Sequence, residues 1–163
     1  MADASNFYLK DLNYEINGCA FDAFTEVGVG YSELIYHKFF HEKLLEKGLK
    51  AIYKLPLQAS YRGQKIADFE ADEIVEDSLV VDVKCLQTDF LPKNYAQIIT
   101  YQKLLKFRLG LLINFGLHKA FSKRVLHDEH RIPNIENWDR GYFSNMPAKA
   151  TPRCNRIVNQ SGG

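Results

Sequence analysis

The chain of 163 residues is 46% hydrophobic and 25% charged, with a formal net charge of +1; that suffices for one domain with a core and excludes a strong bulk attraction to nucleic acid or membrane. Three widely spaced cysteines, Cys19, Cys85 and Cys154, with no C-x-x-C pair, exclude a disulfide framework, a zinc ribbon and a four-cysteine iron–sulfur site. A reducing compartment is expected, and with neither a secretory leader in residues 1–10 nor a run of roughly 18 apolar residues, a cytoplasmic protein, or a nuclear one if the source is eukaryotic.

Apolar residues at helical spacing (Leu12, Ile16, Cys19, Ala20, Ala23, Phe24) predict a first helix over 9–26, stopped at Val27-Gly28-Val29-Gly30. A second helix over 31–47 ends on Lys47-Gly48, a cation followed by a residue suited to a left-handed cap. On it Glu33, Tyr36 and Phe40 share one face, so an acid stands among aromatics. The period then changes. Residues 50–61, 65–75 and 79–86 read as strands separated by Arg62-Gly63-Gln64 and Glu76-Asp77-Ser78. After Pro92 a third helix is expected over 94–109, ended by Gly110, with Gln97 and Tyr101 one turn apart. The run Leu111-Leu112-Ile113-Asn114-Phe115-Gly116 has the pattern of a central strand buried on both faces. From Asp128 the periodicity fades. The chain thus divides into a domain of residues 1–127 and a C-terminal tail, 128–163, irregular or partly ordered, with Trp138, Tyr142 and Phe143 as a small docking patch. The fold class is α/β: a small mixed sheet, made of an antiparallel hairpin plus a strand reached through the third helix, flanked by helices on both sides.

The most informative stretch is Val80-Val81-Asp82-Val83-Lys84. Side chains alternate along a strand, so Asp82 and Lys84 project from one face of a segment otherwise apolar enough for a core. Charges there survive only when paired, hydrogen-bonded or bound to a metal. If Glu76-Asp77-Ser78 closes the hairpin, Val75 pairs with Leu79 and Asp72 comes opposite Asp82, with Asp68 and Glu70 as reserves on the same face. Two facing carboxylates repel unless a cation lies between them.

Carboxylates and a main-chain carbonyl suit hard cations such as Mg²⁺ or Mn²⁺, which accept phosphate oxygens in their remaining positions. Glu33, Asp72, Asp82 and the carbonyl of Val83 are the candidate ligands. Lys84 is the candidate catalytic cation, and Gln97 and Tyr101 the residues that position substrate or water.

These residues carry a resemblance. Asp72…Asp82-Val83-Lys84, preceded by a helical glutamate and followed by Gln97-Ile98-Ile99-Thr100-Tyr101, resembles the PD-(D/E)XK nuclease superfamily, and its Q-x-x-x-Y helix is similar to that of the RecB-like branch. Gly30-Tyr31-Ser32-Glu33-Leu34-Ile35-Tyr36, with Gly110 to Gly116 downstream, narrows the likeness to the small GxxExxY proteins of that superfamily. It covers about residues 11–124, with aspartate at 82 where those proteins usually carry glutamate, and Ala71 in place of the proline before Asp72. The resemblance implies a restriction-endonuclease-like core, a divalent-metal-dependent nuclease hydrolysing DNA or RNA, Mg²⁺ or Mn²⁺ as cofactor and a role for Tyr36 beside the site. A homodimer is also in keeping with nucleases of this size.

Other readings stand beside this one. A catalytically inactive module of the same fold would bind nucleic acid or a protein partner without metal. Asp82 and Lys84 could form a structural ion pair, and Glu33 could be a solvated acid favoured by its helix dipole. His37 and His41, one turn apart, lack a third zinc ligand in the sequence and have Lys38 where a zinc protease has glutamate. Lys119, Lys123, Arg124 and Arg131, and more weakly Lys54, Arg62, Lys65 and Lys93, are candidate phosphate contacts. His127 and His130 read as a solvated loop.

Overall fold

The computed structural model describes residues 8–127. The reading of 128–163 as a tail, with its aromatic patch, His130 and Arg131, lies outside the described residues. In chain order the elements are α1 (Lys10–Val27), α2 (Glu33–Glu46), β1 (Ala51–Tyr61), β2 (Gln64–Val75), β3 (Leu79–Lys84), α3 (Pro92–Leu105), β4 (Leu109–Asn114) and β5 (Phe121–Leu126).

The five strands lie in the order β1-β2-β3-β4-β5. Every neighbouring pair is antiparallel except β3 and β4, which run parallel and are joined by the α3 crossover. Alternation along β3 sorts its side chains between two layers. Leu79, Val81 and Val83 pack with Ile16, Ala20, Tyr36, Phe40 and Leu44 of α1 and α2. Val80 faces Ile98, Tyr101, Leu104 and Leu105 of α3. Helices therefore cover both faces of the mixed sheet, as expected, and the D-x-K strand lies between two cores.

The hairpin register is the expected one, with Val75 opposite Leu79. The third helix is shorter than its sequence suggests. It stops at Leu105, and Lys106 turns into the left-handed region at φ 61°, because Leu109 and Gly110 are needed in β4. Gly110 is a packing glycine, where a Cβ would stand 2.8 Å from Ile98 Cδ1 and 3.1 Å from Gln102 Cδ. The strand β5 was not expected. It is a sheet edge with Val125 as its one buried residue, so it gives almost no hydrophobic signal. Lys123 and Arg124 belong to it, and Arg124 Nη2 donates to the Tyr8 carbonyl at 2.7 Å.

Asn114 knits the exit of β3 to β4. Its Oδ1 accepts from Leu86 N–H at 2.7 Å and Gly116 N–H at 3.0 Å, while its Nδ2 donates to the carbonyls of Leu86 at 3.0 Å and Thr88 at 3.2 Å. A buried amide satisfied four times over fixes the strand end that carries Lys84.

Candidate active site

The site grows from a break in the sheet. The ladder between β2 and β3 ends at Glu73↔Val81, and the same register one step further brings Asp72 level with Asp82. There the Asp72 side chain takes over from the missing backbone partner, its Oδ2 accepting from Val83 N–H at 2.7 Å. On the β1 side, Lys54 adopts φ 51°, and the flanking pairs Tyr53↔Glu73 and Leu55↔Ala71 leave Lys54 and Asp72 out of the register. Asp72 thus sits where both neighbouring ladders are interrupted.

Asp82 is wholly buried. Its Oδ1 accepts from Lys84 Nζ at 3.0 Å, whereas its Oδ2 is buried without a hydrogen-bond partner. Burial pushes its carboxyl up from 3.8 to about 7, with the Lys84 ammonium pulling the other way and the nearby Asp72 adding to the rise. On α3, Gln97 Nε2 donates to the Tyr101 hydroxyl at 2.8 Å. Burial raises that phenol to about 12, with the Gln97 bond lowering it and the charges of Asp82, Asp72 and Glu70 raising it further. Because its oxygen accepts from Gln97, the Tyr101 proton is left to donate elsewhere.

Five of the expected residues therefore gather on the α3 face of the fork: Asp72, Asp82, Lys84, Gln97 and Tyr101. Val83 lies between Asp82 and Lys84. Glu33 is the first residue of α2 and exposed to solvent, and its charge acts on Cys85, the residue that follows Lys84. Among the described residues, no three His, Cys, Asp or Glu side chains converge on one ion position. Tyr36 is core: it stacks 5.1 Å from Phe115, donates to the Gly28 carbonyl at 2.5 Å and accepts from Tyr31 N–H at 3.4 Å. The reserve acids point to solvent, Asp68 with Lys65 at 2.6 Å and Glu70 with Lys54 at 3.8 Å.

One polar group escaped the sequence reading. Glu73, fully buried on the opposite face of β2, has Oε2 3.0 Å from His37 Nε2 and Oε1 2.7 Å from His41 Nδ1. Burial raises its carboxyl to about 9, and Asp72 adds to this. The His37 imidazole is lowered to about 4, chiefly by burial, and burial lowers His41 as well. The contacts are thus hydrogen bonds between neutral groups at pH 7. The signal was present in two consecutive acids, Asp72-Glu73, which a strand must send to opposite faces.

The donor set fits a hard cation through Asp82. A buried carboxylate oxygen lacking a hydrogen-bond partner, with a second carboxylate one step across the fork, suits an ion such as Mg²⁺ that uses one or two carboxylates and keeps waters. In comparison with known proteins, the family described as the PD-(D/E)XK nuclease superfamily matches residues 10–125. Two solved structures are similar. SSO0001 is 21% identical with a TM-score of 0.48, the match covering 63% of this chain and 54% of that one. An alkaline exonuclease, LHK-Exo from Laribacter hongkongensis, is 18% identical with a TM-score of 0.43, covering 58% of this chain and 56% of that one. The match thus spans little more than half the length of each. No curated protein matches the sequence significantly.

Proposed function

From the premise that this chain belongs to the PD-(D/E)XK nuclease superfamily, and has its restriction-endonuclease-like α/β core, we propose that it is a divalent-metal-dependent nuclease hydrolysing phosphodiester bonds of DNA or RNA. The observation that carries this reading is Asp82: buried, with one oxygen on Lys84, the other lacking a hydrogen-bond partner, and Asp72 beside it. Asp72 and Asp82 would hold Mg²⁺ or Mn²⁺, with Glu33 and the Val83 carbonyl as further ligands, and the ion would supply Lewis acidity and an activated water.

The chain's own residues supply the rest. Lys84, anchored on Asp82, offsets negative charge building on the phosphoryl oxygens and orients the attacking water. Tyr101, fixed by Gln97 and protonated at neutral pH, donates its hydroxyl hydrogen to substrate. Val83 N–H holds the Asp72 carboxylate against rotation. We assign the chain to the GxxExxY group because the hydrogen bonds of Tyr36 pin Gly28 and Tyr31, the turn that launches α2 at Glu33. Free Cys19 and Cys85 fit a reducing, cytoplasmic setting.

The second reading, a module that binds nucleic acid or protein without turnover, draws on the finding that, among the described residues, no three His, Cys, Asp or Glu side chains converge on one ion position. The two are distinguished by incubating the protein with single- and double-stranded DNA and RNA in Mn²⁺, in Mg²⁺ and in chelator. Metal-dependent cleavage of any of these substrates supports the nuclease. Absence of cleavage throughout, with metal-independent binding, supports the module and sinks the catalytic assignment.

A further inference from the structure

Behind the carboxylate fork, on the face of the sheet that carries α1 and α2, lies a polar cluster that the reaction does not use. Glu73 stands between His37 and His41, and the Tyr53 ring lies 4.4 Å from one imidazole and 5.3 Å from the other. The Tyr53 hydroxyl is buried without a hydrogen-bond partner. Each histidine meets a different carboxylate oxygen at hydrogen-bond distance, so the two rings clamp the carboxyl between them. Packing such groups in an apolar layer is costly, and apolar side chains of the same volume would serve stability as well or better.

What the clamp grips is the strand beside Asp72: both histidines hold the carboxyl of Glu73, the residue that follows Asp72 in β2. At Asp72 the β1 register is interrupted by Lys54 and the β3 ladder has ended. The main chain of Asp72 is thus least constrained by the sheet where the carboxylate must be best placed. His37 lies one helical turn after Glu33 on α2.

We infer that His37, together with His41, is a positioning residue that acts through Glu73: by holding that side chain it fixes the main chain at the neighbouring Asp72, sets the Asp72 carboxylate relative to Asp82, and ties the helix bearing Glu33 to the same strand. The inference rests on the proposal that Asp72 and Asp82 bind a divalent cation. Removing a group that orients a metal ligand costs about 10- to 100-fold in metal affinity.

The test is Mn²⁺ binding by the full chain, read from the free-ion signal in electron paramagnetic resonance, together with cleavage as a function of Mn²⁺ concentration. For His37→Leu, the Mn²⁺ dissociation constant and the half-saturating Mn²⁺ concentration should both rise about tenfold or more, with a smaller fall in kcat at saturating metal. His37→Gln, whose amide both donates and accepts, should recover most of the affinity. The double variant His37→Leu/Glu73→Leu leaves no stranded buried carboxyl; it should show the same loss and replaces the single variant if that one does not fold. Unchanged Mn²⁺ affinity in these folded variants overturns the inference and leaves the nuclease proposal standing. A wild-type protein that neither binds Mn²⁺ nor cleaves overturns both.

Discussion

Replacing Asp82 with asparagine should stabilise the metal-free protein while abolishing its chemistry. The side chain is 1% exposed, and its carboxyl is raised from 3.8 to about 7, chiefly by burial. A rise of that size corresponds to about 4 kcal/mol against the ionised folded form. The folded protein holds this proton more tightly than the unfolded chain. The cost is therefore absent below about pH 4, grows between about pH 4 and 7, and is complete above pH 7. Asparagine keeps the shape and removes the charge, but leaves the Lys84 ammonium, 13% exposed, without its counter-charge. The pull of that ammonium is already contained in the rise to about 7. The gain is instead reduced by the amide N–H group that asparagine would bury where Oδ2 has no hydrogen-bond partner. About 2 kcal/mol should survive at pH 8, or on the order of 5 °C in Tm. Thermal unfolding of both proteins in EDTA at pH 8 and pH 4.5 measures this. The asparagine protein should melt higher at pH 8, with most of the gap gone at pH 4.5. If it melts at the same temperature as the wild type at pH 8, or lower, Asp82 is one half of a satisfied structural ion pair and the reasoning fails.

Gly110→Ala should cost about 1–3 kcal/mol through overpacking against Ile98, seen as a lower urea midpoint at unchanged slope. Tyr101→Phe should lower cleavage about tenfold or more at saturating metal, in the range of a lost positioned donor; an unchanged rate removes the hydroxyl from the mechanism. Glu33→Gln should shift stability by less than about 1 kcal/mol, since the residue is exposed at a helix start. The same change should reduce cleavage and weaken Mn²⁺ binding, whereas full activity would leave Glu33 as a helix-start acid only.

Much of this architecture is legible in the chain because local rules and tertiary packing agree. The turn Glu76-Asp77-Ser78 sets the register from Val75↔Leu79 and so brings Asp72 level with Asp82. The apolar neighbours of Asp82 and Lys84 announce burial. Gly110 misleads because a glycine needed for close packing under Ile98 looks in sequence like a helix terminator. The edge strand β5 is silent because only Val125 is buried. Glu73 was hidden by its neighbour. Its partners on α2 are more than thirty residues away, and no local pattern shows that the strand turns it toward two histidines. The break at Lys54 was equally invisible, since a left-handed lysine carries no residue-type signature.

The most direct test of the central claim is the Mn²⁺-dependent cleavage rate of wild-type protein set against the Asp82→Ala/Lys84→Ala double variant, on whichever nucleic acid the wild type cuts. The fork described above predicts a loss on the order of 10²-fold or more, with the remaining rate no longer responsive to metal. Equal metal-dependent rates in the two proteins would contradict it.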